Sequence, residues 1–374
     1  MGLFIEEGGH FMQSFSVHGA PSEYILQEGA LELLEGKLVE RGLKNILVVH
    51  GVKSWNAVQP YWPMLSKVVY QEHTYGGECS LEEITELAKA VQKHAFDGVV
   101  GVGGGKVLDL VKAVCDMTHT QAILVPTLAS NCSPWTPLSV LYDQTGAFIR
   151  YDVYPICASL VLIEPNILLH APKAMFIAGI GDTLAKWYEA DVQMERLPNK
   201  PVPLQISHYT ALQCKNLLMG HSEGAIKAVN NGMLNDDFIK VVEAIIVLGG
   251  MVGGFGDHYG RIAGAHSIHN GLTALVATHH ILHGNKVAYG ILVQLVLEGK
   301  QHEIELLLPF YRRLGLPYSL KELGIQEIED DIVTMIAEKS TLKGESIHVL
   351  PIGIIDADMV KKAIYELETV ITRK

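Results

Sequence analysis

Charged and aromatic side chains are scarce in this chain of 374 residues. Only 19% of the residues are charged and 7% are aromatic, while 48% are hydrophobic. A disordered chain has the opposite balance, because it buries too little apolar surface to offset the entropy lost on folding. We therefore expect a globular protein of about two domains whose cores need no disulfide bonds.

Basic residues are also in deficit. The chain has 29 Lys and Arg against 41 Asp and Glu, which gives a formal net charge of −12. No cluster of Lys or Arg interrupts this acidic balance, and an acidic body repels a phosphate backbone. We expect a small-molecule substrate and no nucleic-acid partner.

Cysteines are few and scattered, with no CxxC pair among them. The five are Cys79, Cys115, Cys132, Cys157 and Cys214. An odd, widely spaced set is typical of a reducing compartment and offers no thiolate metal site.

Leader and membrane segments are not evident either. The N-terminal stretch MGLFIEEGGHFM has no basic region and no long apolar run. Residues 119–142 and 264–285 lack Asp, Glu, Lys and Arg, but the first stretch contains three prolines and the second five histidines. Neither could cross a bilayer without burying many polar groups, so we expect a soluble cytoplasmic protein with no membrane partner.

The pattern of the chain changes near residue 170. Before it, short apolar runs at 45–49, 97–102, 121–125 and 159–163 alternate with helical periodicity, as in a parallel sheet covered on both faces. After it, helical periodicity dominates through 360–372. We predict an α/β domain over 1–170, an all-helical domain over 171–374, and a functional cleft between them.

A glycine-rich turn, Gly101-Val102-Gly103-Gly104-Gly105-Lys106, follows the second apolar run. Glycines between a strand and a helix let backbone N–H groups approach a phosphate. The turn is not the dinucleotide fingerprint, because Lys106 stands where the third glycine belongs. It is not a Walker loop either, because Val107 replaces the Ser or Thr that holds magnesium. A tight turn without a ligand is the alternative, but three consecutive glycines favour phosphate binding.

Histidines are concentrated in one part of the chain. Six of the 17 lie within 258–283, where an even distribution gives about 1.2. They are His258, His266, His269, His279, His280 and His283. Helical spacing places His266 with His269, and His279 with His283. Imidazoles with a carboxylate from elsewhere suit zinc or ferrous iron. Each histidine alone is ordinary, but the group predicts a metal site with two of the six as ligands.

A third pattern is Gly179-Ile180-Gly181-Asp182, followed by TLAKWYEA. Asp182 follows a glycine where a helix could start. Spacing alone therefore favours a helix N-cap for this carboxylate, which needs no metal.

Together these stretches resemble the iron-containing alcohol dehydrogenase family, in its glycerol dehydrogenase-like branch. The matching stretches are GVGGGKVLD at 101–109, PTLAS at 126–130, PLSVLY at 137–142, AGIGDTLAKWYEA at 178–190, AHSIHNGL at 265–272 and HGNKVAYGILVQL at 283–295. They occur in the same order as in the family, and the stretch GDTLAKWYE resembles the corresponding stretch of hydroxycarboxylate dehydrogenase-type members. The resemblance implies an N-terminal dinucleotide-binding domain and a helical metal-binding domain, the dehydroquinate synthase-like architecture.

The resemblance also implies roles for individual residues. Asp182, His266 and His283 would hold one divalent metal ion, with His269 beside it. The glycine turn would meet the phosphates of NAD(H) or NADP(H) through Gly103, Gly104, Gly105, Lys106 and Asp109. The residues lining the rest of the cofactor pocket would be Thr127, Ser130, Thr136, Leu138 and Tyr142.

Three departures from the family pattern bear on specificity. The glycerol-binding branch has an aspartate where this chain has Cys132, which makes glycerol a doubtful substrate. Iron-type members carry a further histidine at the position of Lys186, so we expect a three-ligand site and favour zinc. NAD-preferring members place an aspartate at the position of Gly51; its absence, with Lys53 nearby, favours NADP(H).

We therefore predict an NAD(P)-dependent dehydrogenase of a small hydroxy or oxo compound, with 2-oxo acids favoured. The candidate catalytic residues are His266, His269 and Lys186. Lys186 could hold a substrate carboxylate; the alternative is that it pairs with Asp182 or Glu189, or extends to solvent. Polyol, alcohol or aldehyde substrates, a dehydroquinate synthase-like lyase and an inactive metal-binding homologue remain alternatives. The sequence leaves open whether the chain forms a homo-oligomer.

Overall fold

The computed structural model describes residues 16–144 and 146–372. The N-terminal half is built on a six-stranded sheet of order β1-β8-β5-β4-β2-β3, in which every strand pair is parallel. Its strands are β1 (Tyr24–Leu26), β2 (Asn45–His50), β3 (Val69–Thr74), β4 (Gly98–Gly103), β5 (Gln121–Pro126) and β8 (Leu160–Ile163). A separate antiparallel hairpin contains β6 (Leu138–Tyr142) and β7 (Phe148–Val153).

Successive side chains of the central strands enter two different cores. Ile46 and Val48 pack in one cluster, whereas Leu47 and Val49 pack in another that continues into the C-terminal helices. The covering helices of this half are α1 (Leu34–Glu40), α2 (Val52–Val58), α3 (Leu81–Lys93) and α4 (Gly105–Thr118). A sheet covered on both faces explains why these strands are nearly continuous apolar runs.

The four predicted strands are confirmed within one residue at each end. The short β1, the polar β3 and the hairpin were not predicted. β3 reads VYQEHT and is largely exposed at the edge of the sheet, and β7 is almost wholly exposed. Exposed edge strands lack the continuous apolar run on which the prediction relied.

The remainder of the chain is helical, which confirms the predicted fold class. The helices are α5 (Pro165–Leu169), α6 (Lys173–Met194), α7 (Val202–Asn231), α8 (Asp236–Glu243), α9 (Gly249–Gly256), α10 (Gly264–Thr273), α11 (His283–Leu297), α12 (Gln301–Leu314), α13 (Asp330–Ser340) and α14 (Ala357–Thr372). A π-helical segment, Ala244–Leu248, joins α8 to α9. The domain boundary near residue 170 stays a prediction.

One helical stretch is long and apolar enough to cross a membrane by length and composition alone. It is Asp236–Gly260, and half of its most apolar window is buried inside the protein. Helices in the core of a folded protein meet the same criterion, so the stretch is weak support for a membrane span.

Candidate metal and cofactor site

Three side chains from three helices meet at one point. Asp182 of α6, His266 of α10 and His283 of α11 offer ligand atoms that all lie within 4.8 Å of one another. Asp182 Oδ1 is 3.5 Å from His266 Nε2 and 3.2 Å from His283 Nε2. This oxygen is buried and has no hydrogen-bond partner in the described chain. These are the three residues that the resemblance implied as metal ligands.

The N-cap interpretation of Asp182 was wrong. α6 begins at Lys173, so Asp182 lies well inside a 22-residue helix, where backbone N–H groups are already bonded. The glycines before Asp182, which suggested a helix start, serve close packing instead.

The donor set fits a divalent metal. Two imidazole nitrogens and one carboxylate oxygen match the ligands of zinc sites that leave a position open for substrate. Burial alone would raise the pKa of Asp182, but His266 and His283 hold it well below its usual value. The carboxylate is therefore charged and available to a cation.

Glu189 orients His266 from behind. Glu189 Oε2 lies 2.7 Å from His266 Nδ1, and Oε1 accepts the backbone N–H groups of Ala263 and His266. With Nδ1–H directed at the carboxylate, Nε2 is left as the metal-binding atom. Burial alone would lower the pKa of His266, but the carboxylates of Glu189 and Asp182 raise it to about 9.

A hydrogen-bonded chain supports His283 in the same way. His283 Nδ1 is 2.9 Å from His269 Nε2, and His269 Nδ1 is 3.0 Å from Asn270 Oδ1. The Asn270 amide in turn donates to Glu345, at 3.0 and 3.2 Å. Because an amide NH₂ can only donate, Asn270 presents its oxygen to His269 Nδ1–H, which leaves His269 Nε2 to accept from His283. His269 therefore positions a ligand.

The other three histidines of the cluster lie outside the metal triad. His279 Nε2 is 3.1 Å from the Thr273 carbonyl oxygen. His280 packs against Gly324, and His258 is exposed beside Asp257. Helical spacing alone could not have separated His283 from His279 and His280.

Glycines allow direct backbone contact between α6 and the loop after β5, and between α6 and α11. A Cβ on Gly179 of α6 would lie 2.3 Å from the Ala129 carbonyl oxygen and 2.8 Å from Ser130 Cα. A Cβ on Gly284 would lie 1.9 Å from the Ala178 carbonyl oxygen. Real Cβ atoms do not approach so closely, so only glycine permits this packing.

The glycine turn lies at the carboxyl end of β4, next to β2. This is where the strand order reverses, the usual crevice for a nucleotide in an open parallel sheet. α4 begins at Gly105, and its N-cap residue Gly104 has no side chain to bond the first amides of the helix, which favours binding of an anion there. A Cβ on Gly103 would lie 2.8 Å from the Val107 side chain, and a Cβ on Gly104 would lie 2.8 Å from the Leu128 side chain. Lys106 is ion-paired with Glu78 at 2.5 Å and lies over the Tyr142 ring at 5.0 Å.

Asp109 is placed inside the protein, one turn into α4. Its carboxylate accepts from Ser133 Oγ and the Val140 amide, at 2.6 and 3.0 Å, and pairs with Lys112 at 2.9 Å. The Lys112 ammonium also donates to the carbonyl oxygens of Thr136 and Leu138. Asp109 and Lys112 thus anchor the 133–140 segment beneath the glycine turn, and a direct contact of Asp109 with a cofactor stays a prediction.

The other predicted cofactor residues surround the same turn. Thr127 is buried, and its N–H donates to the Gly103 carbonyl oxygen at 2.9 Å; Ser130 is partly buried in the loop that follows. Gly51 caps α2 directly after β2, with the Tyr75 ring beside it, and Lys53 is exposed in the first turn of that helix.

Sequence reasoning did not predict that four further residues support the site: Glu189, Asn270, Glu345 and Glu78. A signal for Glu189 was present, since it lies seven residues after Asp182 and so on the same helical face. Glu345 and Glu78 reach the site from distant turns, which no local pattern reveals.

Comparison with known proteins gives the family of the chain. Residues 21–165 match the family model of iron-containing alcohol dehydrogenases. The chain is 36% identical over 350 residues to hydroxycarboxylate dehydrogenase A of Escherichia coli, covering 93% of this chain and 96% of that protein. The chain belongs to the iron-containing alcohol dehydrogenase family.

Glycerol dehydrogenases are similar relatives within that family. The one from Thermotoga maritima is 36% identical, over 91% of this chain and 93% of that protein. The crystal structure of a probable glycerol dehydrogenase from Sinorhizobium meliloti superposes with a TM-score of 0.84 at 29% identity, covering 95% of this chain and 99% of that one. The chain is thus an oxidoreductase with the two-part fold of its family.

Proposed function

We propose that this protein transfers a hydride between NAD(P)(H) and a small 2-hydroxy or 2-oxo acid at a metal held by Asp182, His266 and His283. The convergence of these three ligand atoms around the unpartnered Asp182 Oδ1 carries the proposal. A divalent ion there, with zinc favoured over iron, would polarise the substrate carbonyl, while nicotinamide supplies or accepts the hydride. The protein's own residues would hold the metal ion, orient the ligand side chains and shape the site around the substrate.

Each residue has a defined task in that arrangement. Glu189 fixes which nitrogen His266 presents, and His269 does the same for His283. The open first turn of α4 would bind the cofactor phosphates through backbone N–H groups and the helix dipole. We propose NADP(H) as the better cofactor, because Gly51 offers no carboxylate to a ribose hydroxyl and Lys53 offers a cation to a 2′-phosphate.

The choice of an acid over a polyol rests on the chain's own side chains. Burial raises the pKa of the Cys132 thiol, so this group is neutral where a polyol would need a charged hydrogen-bond acceptor. The relative named hydroxycarboxylate dehydrogenase A supports an acid. The relatives named glycerol dehydrogenase favour a polyol as the second candidate.

We keep the expectation of a cytoplasmic enzyme without nucleic-acid or membrane partners. The five free cysteines and the net charge of −12 support it.

Metal analysis of ligand variants tests the site. In His266→Ala and His283→Ala, two remaining ligands cannot complete a tetrahedral site, so we expect near-empty protein after dialysis against zinc. His279→Ala is the matched control, because His279 is close in sequence but lies outside the triad and bonds to the Thr273 carbonyl. Full zinc occupancy in both ligand variants would show that the triad is not the metal site.

Turnover assays test the reaction. Wild-type protein with zinc or ferrous iron, and with either cofactor, is assayed on 2-oxo acids, aldehydes and polyols. Reduction of 2-oxo acids supports the proposal, and a preference for polyols moves the function to the second candidate. A lyase or an inactive homologue would oxidise or reduce none of them.

A further inference from the structure

Lys186 stands one helical turn after Asp182, on the face of α6 that also carries Glu189. Helical side chains lean toward the N-terminus, which brings the Lys186 chain back toward Asp182 and the metal triad. The residue is partly buried. Within the described chain its ammonium makes no hydrogen bond and no ion pair. A partly buried ammonium ion without a partner is unfavourable, and an anion bound beside it would remove that cost.

The neighbouring carboxylates do not meet that need. Glu189 uses both oxygens on His266 and the Ala263 and His266 amides. Asp182 faces the two imidazoles. Neither carboxylate lies within ion-pair distance of Lys186, so the pairing that the sequence suggested as the alternative is absent.

The other groups that act on Lys186 are the thiols of Cys132 and Cys214. Burial raises the pKa of both thiols, so neither carries a compensating charge near neutral pH. Burial alone would lower the pKa of Lys186, but Cys132 once it ionises at alkaline pH, together with the carboxylates of Asp182 and Glu189, raises it. The group therefore remains an ammonium ion.

We propose that Lys186 binds the carboxylate of a 2-oxo acid substrate, with the substrate's oxo group directed at the Asp182–His266–His283 triad. The proposal rests on the proposed function and adds the residue that recognises the acid. In a 2-oxo acid the oxo and carboxylate groups are on adjacent carbons, so one small molecule spans the triad and a lysine one turn away. An ammonium ion beside neutral thiols binds a carboxylate more strongly than an uncharged polyol.

A second unpaired lysine offers an internal comparison. Lys286 of α11 is 6% exposed, follows His283 by three residues and has no hydrogen bond or ion pair in the described chain. Burial lowers the pKa of His269, and the nearby charge of Lys286 lowers it further; His269 is the residue behind the ligand His283. If the substrate carboxylate were bound on the α11 side of the triad, Lys286 would bind it.

The decisive measurement is binding of oxamate, an unreactive 2-oxo acid analogue, to zinc-loaded protein with reduced cofactor, by calorimetry. Lys186→Met should weaken oxamate binding about ten-fold or more, because a charge-assisted hydrogen bond is lost. Lys186→Arg should restore most of it, and Lys286→Met should bind like wild type. Zinc content and the unfolding temperature are measured for each variant to separate loss of the site from loss of the anion contact.

A kinetic measurement extends this to turnover. In Lys186→Met the kcat/KM for pyruvate, divided by that for an uncharged aldehyde of similar size, should fall about ten-fold or more. Unchanged oxamate binding in Lys186→Met, or a larger loss in Lys286→Met, overturns the proposal. If wild type only reduces aldehydes or oxidises polyols and does not bind oxamate, the proposal about Lys186 fails while the family reaction stands.

Discussion

At the scale of single residues, Glu189 is the most informative side chain of the site. It is buried and touches His266 through the ring and through the backbone. Glu189→Gln keeps the shape but removes the charge that holds Nδ1–H. We expect zinc affinity to fall about 10- to 100-fold, as for other carboxylates behind a ligand histidine.

A chelator competition gives this affinity directly. Glu195→Gln is the control, because Glu195 is exposed at the end of the same helix. Equal zinc affinities in wild type and Glu189→Gln would mean that the backbone amides alone orient His266.

At the scale of secondary-structure elements, we expect the turn between β2 and α2 to set the cofactor preference. Gly51→Asp should shift the ratio of kcat/KM toward NAD(H), because a carboxylate accepts from the ribose hydroxyl and repels a 2′-phosphate. A Cβ at this position lies 3.1 Å from the Tyr75 ring, so the ring must shift slightly. Gly51→Asn imposes the same shift without the charge and is the control. A wild type that strongly prefers NAD(H) would contradict the NADP(H) proposal.

The predictability of an element depended on how much of it is buried. β2, β4, β5 and β8 are buried on both faces and appear in the sequence as plain apolar runs. The register of the edge strand β3 is set by its pairing with β2, and residues 69–74 contain no apolar run that would predict this strand. Periodicity likewise placed helices in the second half.

The candidate site was harder to predict than the fold. Local spacing could gather histidines but could not choose His283 over His279, because the choice depends on how α11 packs against α6. For Asp182 it favoured the wrong interpretation, since Gly181 looks like a helix start but packs against the Gly284 carbonyl. Only the resemblance of several ordered motifs identified the triad.

At the scale of the whole molecule, metal binding and stability should depend on pH together. In metal-free protein the pKa of His266 is raised to about 9, above the unfolded value of about 6.5. The native state therefore binds more protons between these values, and the stability contributed by this group is present below about 6.5 and lost as pH rises through 9. A zinc ion bound at this site would need the neutral ring, so we expect zinc binding to displace this proton.

We therefore expect the rise in unfolding temperature on adding zinc to be larger at pH 8.5 than at pH 6.5. Calorimetric zinc titrations in buffers of different ionisation enthalpy should show proton release at pH 7.5. His266→Gln should remove both effects. A zinc-induced stabilisation that is independent of pH would show that His266 is already neutral in the metal-free protein.

The contact between Gly179 and the Ala129–Ser130 backbone has a consequence for how the two ligands bind. At Gly179 the backbone of α6, the helix that carries Asp182, lies directly against the backbone of the loop that carries Ser130. We therefore expect a metal ion bound at Asp182 to steady α6 and to lower the entropy that the proposed cofactor must remove from the loop. Coupling of this kind is reciprocal: the factor by which metal tightens cofactor binding equals the factor by which cofactor tightens metal binding.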